Sequence, residues 1–223
     1  MKAPDVERQL VIFDSDGVLV DSEGIIHRVF AQQLEPHGIH LSAEEAERHF
    51  SGLYMPHVLA TIEAEFGVTL PPSFPEDWYA AVLAEFEREL KPIPGVGGAV
   101  EQLAADGYEV CVASNGPLIK IELSLRVTGL LEFFRERQFS GWQVEQAKPS
   151  PDLFLFAASE LSVPPDRCVV VEDSLPGVQA AVAAGMTVLA YAPEGARREI
   201  RELASRTFDD MSELPELVSK ILR

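Results

Sequence analysis

Short unbroken apolar runs and longer stripes of helical period divide this chain into two kinds of territory. Val11-Ile12-Phe13, Val110-Cys111-Val112-Ala113 and Cys168-Val169-Val170-Val171 are rich in β-branched residues, and each ends abruptly in polar residues followed by a helical pattern. Runs of this kind predict strands of a parallel sheet covered by helices. Between the first run and the second, the period changes. Ile25, Ile26, Val29, Phe30 and Leu34 share one helix face, as do Val58, Leu59, Ile62 and Phe66, and then Tyr79, Val82, Leu83, Phe86 and Leu90. The dense Pro and Gly of Lys91-Pro92-Ile93-Pro94-Gly95-Val96-Gly97-Gly98 mark where this helical segment ends. The pattern predicts an α/β, Rossmann-like parallel-sheet core formed by residues 1–23 and 93–223, with an all-helical module, 24–92, inserted after the first strand. Connections near Asp21 to Gly24 and Pro92 to Gly98 are expected to hinge the module as a lid.

Composition narrows the setting. The 223 residues, 47% of them hydrophobic, are enough for a packed core, and the apolar runs are far below the ~20 residues of a membrane span. The start, Met-Lys-Ala-Pro-Asp-Val-Glu-Arg, lacks the apolar stretch of a secretory signal, so a soluble cytoplasmic protein is expected. A formal charge of −18 argues against nucleic acid as a partner, since phosphate backbones are bound by clustered Lys and Arg. All five histidines fall within the helical segment and no Gly-x-Ser-x-Gly turn occurs, which leaves a Ser-His-Asp triad without support.

The candidate chemistry sits where strands end. Asp14-Ser15-Asp16-Gly17 sets two acids at the carboxyl edge of the sheet, where open α/β proteins bind ligands, although Asp and Gly are also ordinary turn residues. Ser114-Asn115-Gly116 before Pro117 offers a hydroxyl and backbone N–H groups to an anion at a helix start. Lys148 precedes Pro149, which disfavours helix at 148; it reads either as a lysine held in a loop or as a solvated one. Glu172-Asp173-Ser174 reads as metal-binding acids, as a helix cap, or as both. Asp152 is expected to cap the helix carrying Leu153 and Phe156. Lys120 is expected on the solvated face of the helix after Ser114, contact with the distal part of a substrate being the alternative.

These four motifs, in this order, resemble the haloacid dehalogenase superfamily of phosphohydrolases, in the branch containing β-phosphoglucomutase and small sugar-phosphate phosphatases. The likeness extends over essentially the whole chain. It implies that Asp14 attacks phosphorus to form an aspartyl-phosphate, that Asp16 moves the proton, and that Ser114, Asn115 and Lys148 bind the phosphate. It also implies Mg²⁺ held among Asp14, Asp16, Glu172 and Asp173, with Asp16 giving its main-chain carbonyl and Glu172 acting directly or through water. Residues 24–92 would be the family's helical cap domain. In its strand order, the strand before Asp14 separates Cys111 from Cys168 by about two strand spacings, ~10 Å, too far for a disulfide.

The mutases of this branch carry a histidine twelve residues after the nucleophile and an arginine on the cap loop. Here Ile26 stands at the first place, with His27 one step off, and aligning the cap loop on Gly52 puts Met55 near the second. The segment from Ser114 to Pro149 looks more like the 6-phosphogluconate phosphatase group. The expectation is therefore a Mg²⁺-dependent phosphatase acting on a small phosphorylated sugar or sugar acid. A hexose-phosphate mutase and a catalytically silent module that binds a phosphorylated metabolite are the alternatives.

Overall fold

The computed structural model describes residues 8–50 and 55–222. Strands β1 (Leu10–Phe13) and β2 (Val20–Asp21) lead into helices α1 (Glu23–Leu34), α2 (Ala43–Phe50), α3 (Met55–Phe66) and α4 (Phe74–Glu89). Strand β3 (Lys91–Pro92) follows, and then strands and helices alternate: α5 (Val96–Ala105), β4 (Glu109–Ser114), α6 (Leu118–Val127), α7 (Leu131–Phe134), β5 (Gln138–Ser140) and α8 (Asp152–Glu160). The chain finishes with β6 (Cys168–Glu172), α9 (Leu175–Ala183), β7 (Thr187–Tyr191), α10 (Arg198–Leu203), β8 (Arg206–Phe208) and α11 (Leu214–Ile221). It forms two compact units: one runs to Asp21 and resumes at Lys91, and the other is Ser22–Leu90. Among the described residues, no helix is long and apolar enough to cross a membrane.

The α/β unit holds a six-stranded sheet in the order β5-β4-β1-β6-β7-β8, with parallel neighbours throughout. From β1 the chain builds outward one way through β4 and β5, and then the other way through β6, β7 and β8. β1 is therefore the switch point of the topology, outside whose carboxyl end such sheets form their ligand crevice. Its four residues are wholly buried because both faces are covered, which is why the strand reads as an unbroken apolar run. On one face, Leu10, Ile12, Val170 and Val188 pack with Leu153, Phe154 and Ala157 of α8 and with Val178 and Ala181 of α9. Phe13 meets Phe134 of α7 edge-on, with ring centroids 5.9 Å apart.

Ile12 pairs with Cys111 and Leu10 with Cys168, so β1 does run between the cysteines, and both are free and buried. Burial pushes the Cys168 thiol up to about 12 and raises Cys111 as well, as expected of inert core thiols. β2 and β3 pair antiparallel, Val20 with Pro92 and Asp21 with Lys91, so the two chain segments flanking the insertion form a short ribbon of the α/β unit. What reads in sequence as a Pro/Gly loop is thus tied at its start and becomes α5 from Val96.

The helical unit is organised around Phe30. Its ring makes edge contacts with Phe50, Phe74 and Trp78 at centroid distances of 5.2, 5.8 and 5.6 Å. Val58, Ile62 and Leu34 complete this core, which takes in the whole apolar stripe of α3 and Phe30 and Leu34 of α1, whereas α4 contributes Phe74 and Trp78 to it. Ile26 lies in α1 and Met55 opens α3, whereas Gly52 lies outside the described residues.

Because β1 is enclosed on both faces, Ile12→Ala should leave a cavity and destabilise the protein by about 2–5 kcal/mol. Denaturant unfolding of the variant checks this; a loss below about 1 kcal/mol would contradict the placement of β1 at the centre of the core.

Candidate active site

The sheet places the sequence-predicted residues at one edge, and the loops after the strands bring them within contact. The ladder continues one residue beyond β1, with Asp14 N donating to Val171 O at 3.0 Å, so Asp14 emerges beside the end of β6. The chain then turns: Leu19 N and Val20 N both donate to Ser15 O, and Gly17 N donates to Val20 O. Gly17 has φ +76°, and a Cβ there would lie 2.1 Å from Asp173 Oδ2. Only glycine meets both demands, and its absent side chain is the space in which the Asp173 carboxylate lies against the Asp14–Asp16 loop.

Lys148 is not a solvated lysine. Its Nζ donates to Asp14 Oδ1 at 2.6 Å and to Glu172 Oε1 at 2.7 Å, and it sits 4.7 Å from the centre of the Phe154 ring. The side chain is 3% exposed. Burial by itself would lower the Lys148 pKa, but the two carboxylates outweigh that and hold it above its usual range. The main chain of Lys148 is held by the Asn115 amide, whose Oδ1 accepts from Lys148 N at 3.0 Å while Nδ2 donates to Lys148 O at 3.3 Å. The loop of Asn115 is expected to meet phosphate through main-chain N–H groups, and the Asn115 side chain clamps the loop that carries the lysine.

Glu172, expected at the metal directly or through water, has both of its oxygens in hydrogen bonds with the protein. Oε1 takes Lys148, and Oε2 accepts from Asp173 N, Ser174 N and Ser174 Oγ, each at 2.9 Å. Ser174 caps α9, its Oγ accepting from Gly177 N at 3.2 Å. A Cβ on Gly177 would fall 1.7 Å from Glu172 Oε1, so this glycine admits the carboxylate against the first turn of the helix. The cap reading of this segment holds, and Glu172 anchors Lys148 from below.

Ser114 is buried at the end of β4, its Oγ accepting from Gly116 N at 3.3 Å. The neighbouring strand secures the same loop, because Ser140 Oγ donates to Gly116 O at 2.7 Å. Gly141 allows close approach: a Cβ there would be 3.0 Å from Ala147 Cβ and 3.1 Å from Asn115 Cα. Ser140 and Gly141 thus join the candidate anion loop to the lysine loop, a role that no local sequence pattern discloses. Two expectations need correction. Lys120 is not on a solvated face but pairs with Asp16, Nζ to Oδ2 at 2.6 Å. Asp152 does not cap α8; it is the first residue of that helix and accepts from Ser150 Oγ at 2.8 Å.

Four carboxylates, Asp14, Asp16, Glu172 and Asp173, thus share the sheet edge with two ammonium groups. Burial pushes Asp14 up to about 7, with Lys148 pulling it down and Glu172 and Asp16 adding to the rise. The cluster is short of positive charge, and a further cation is what its donor set fits. Among the described residues, no three His, Cys, Asp or Glu side chains are grouped to hold a metal alone. A cation here could take the Asp14 and Asp173 carboxylates and the Asp16 carbonyl, completed by water and phosphate. That set suits Mg²⁺, which keeps several waters and needs one or two carboxylates.

Comparison with known proteins identifies the family. The chain is 35% identical over 210 residues to the 6-phosphogluconate phosphatase of Escherichia coli strain K12, covering 94% of each chain. It is 30% identical over 182 residues to a phosphorylated carbohydrates phosphatase of Thermotoga maritima, covering 80% of this chain and 82% of the other. A crystal structure of a HAD family hydrolase from Deinococcus radiodurans R1, with bound phosphate and sodium, superposes with a TM-score of 0.80 at 33% identity and 97% coverage of both chains. The family model for haloacid dehalogenase-like hydrolases matches residues 9–185, from the start of β1 to just past α9. That span contains every residue of the cluster built above, and the chain belongs to the haloacid dehalogenase-like hydrolases.

Proposed function

We propose that this hydrolase is a Mg²⁺-dependent phosphatase that cleaves small phosphorylated sugars or sugar acids through an aspartyl-phosphate on Asp14. The observation that carries the reading is the buried Lys148 bridging Asp14 and Glu172 at adjoining strand ends, with Asp16 two residues beyond the nucleophile. The names of two similar proteins, a 6-phosphogluconate phosphatase and a phosphorylated carbohydrates phosphatase, support the substrate class.

In the first step an Asp14 oxygen bonds to phosphorus as the bond to the leaving oxygen breaks, and Asp16 gives that oxygen its proton. Water then attacks phosphorus, the bond to Asp14 breaks, and Asp16 takes the proton from water. Ser114 Oγ, which accepts from Gly116 N, is left to donate its own proton to a phosphoryl oxygen, while Lys148 holds Asp14 in place and offsets its charge. Mg²⁺ bound by Asp14, Asp173 and the Asp16 carbonyl would neutralise charge on the phosphoryl group. Glu172 acts by fixing Lys148.

Phosphate release from a panel of sugar and sugar-acid phosphates, with Mg²⁺ and with chelator, tests the reading. Mg²⁺-dependent turnover of 6-phosphogluconate or a similar ester is expected. With β-glucose 1-phosphate and a priming bisphosphate, phosphate and free sugar should outpace glucose 6-phosphate, because Ile26 and Met55 stand where a mutase grips the second phosphate. Preferential formation of glucose 6-phosphate would instead establish a mutase.

Asp14→Asn keeps the shape of the side chain but removes the nucleophile. Turnover should fall below ~0.1% of the wild-type rate, a barrier increase of about 4 kcal/mol, with the circular dichroism spectrum unchanged. A folded variant that releases phosphate at near the parent rate would exclude the covalent route. Asn115→Ala removes both hydrogen bonds to the Lys148 main chain, each worth about 0.5–1.5 kcal/mol net. Lower thermal stability together with a reduced kcat is expected; unchanged kcat would separate Asn115 from the placement of Lys148.

A further inference from the structure

The lysine at position 120 lies 104 residues from Asp16 in sequence, yet its ammonium is 2.6 Å from Asp16 Oδ2. The placement has a local cause. Helix α6 starts directly after the Ser114–Gly116 loop and Pro117, and helical side chains lean toward the N-terminus, so a residue in the first turn is carried back over that loop. Gly116 makes room for it: a Cβ there would stand 3.3 Å from Lys120 Cδ, 3.9 Å from its Nζ and 3.6 Å from Ser114 Oγ. The lysine stem therefore runs over the candidate anion loop and ends on the carboxylate of the proton-transfer residue. Its side chain is 13% exposed and that of Asp16 27%, against 3% for Lys148. The two lysines divide the work: Lys148 is sealed against the nucleophile, and Lys120 holds its neighbour at the open side.

Resting on the reading of Asp16 as the acid and base, we infer that Lys120 is a positioning residue that holds the Asp16 carboxylate for attack of water on the aspartyl-phosphate, and so commits the site to hydrolysis. In that step the water oxygen bonds to phosphorus, the bond from phosphorus to Asp14 breaks with its electron pair returning to the carboxylate, and the proton of water passes to Asp16. The lysine engages one oxygen of that carboxylate, Oδ2. Lys120 and Asp16 belong to the same compact unit, so the base is held from within the α/β unit itself. A mutase must instead spare its aspartyl-phosphate from water while the intermediate reorients.

Rapid-mixing kinetics with an activated aryl phosphate separates the two half-reactions, because such a leaving group departs with little help from an acid. Lys120→Met should release aryl alcohol in a burst approaching one per active site, followed by a steady rate about tenfold or more below wild type, since misorienting a catalytic group by about 1 Å can lose a hundredfold. Lys120→Arg, which keeps charge and reach, should restore most of the steady rate, and Lys120→Gln gives the same reading if the methionine variant does not fold. A steady rate close to wild type overturns the inference. So does slow turnover without a burst, or a raised KM at unchanged kcat, either of which would make Lys120 a contact of the substrate phosphate. Asp16→Asn separates the two levels. If it is impaired while Lys120→Met is not, the positioning role fails and the phosphatase reading stands; if Asp16→Asn is fully active on sugar phosphates, the assignment of Asp16 itself fails.

Discussion

A single ammonium group, removed from water and shared between two carboxylates, ties three parts of the sheet edge together. Lys148 reaches Asp14 after β1 and Glu172 at the end of β6, while its main chain is clamped by Asn115 after β4. Each contact depends on the others. Taking one charge out of water is costly, and removing one partner of a buried pair typically destabilises by about 3–5 kcal/mol because the other is left uncompensated. The arrangement is therefore tolerable only when strand order, loop conformation and side-chain identity all agree. Phe154 supports the lysine from the apolar side, which couples this polar cluster to the core beneath it.

That dependence explains several glycines by space rather than by flexibility. Gly17 admits Asp173, Gly177 admits Glu172, and Gly141 lets the lysine loop approach Asn115. Acids so close to one another repel, and burial has already raised Asp14 to about 7, so the cluster calls for more positive charge than two lysines supply. The same crowding that makes the site unfavourable for an isolated chain makes it receptive to a divalent cation and to the charge redistribution of phosphoryl transfer.

The residues assigned to phosphate chemistry belong to the α/β unit, whereas the helical unit has a core of its own around Phe30. A fold of this kind supports many substrates on one reaction, because chemistry and selectivity reside in different side chains. The α/β unit accounts for the reaction proposed; the choice among sugar and sugar-acid phosphates is a matter of further contacts.

Local pattern was enough to determine the kinds of element and their order. Unbroken apolar runs gave away doubly covered strands, and three helical stripes gave away the insertion, because burial imposes its period directly on neighbouring residues. The acids at Asp14, Asp16, Glu172 and Asp173, with Ser114 and Lys148, were also legible as candidates, since the acids and Ser114 end a strand or lie within three residues of its end and Lys148 precedes a proline. Tertiary structure alone decided which side chain meets which. Asn115 and Lys148 are 33 residues apart, Asp16 and Lys120 are 104 apart, and Asp14 and Lys148 are 134 apart. No window of sequence contains both members of such a pair. The engagement of both Glu172 oxygens, the turning of Asn115 onto a main chain and the recruitment of Lys120 from a helix surface follow from the strand order β4-β1-β6 and from the lean of side chains at a helix start, which become contacts only once the sheet has formed.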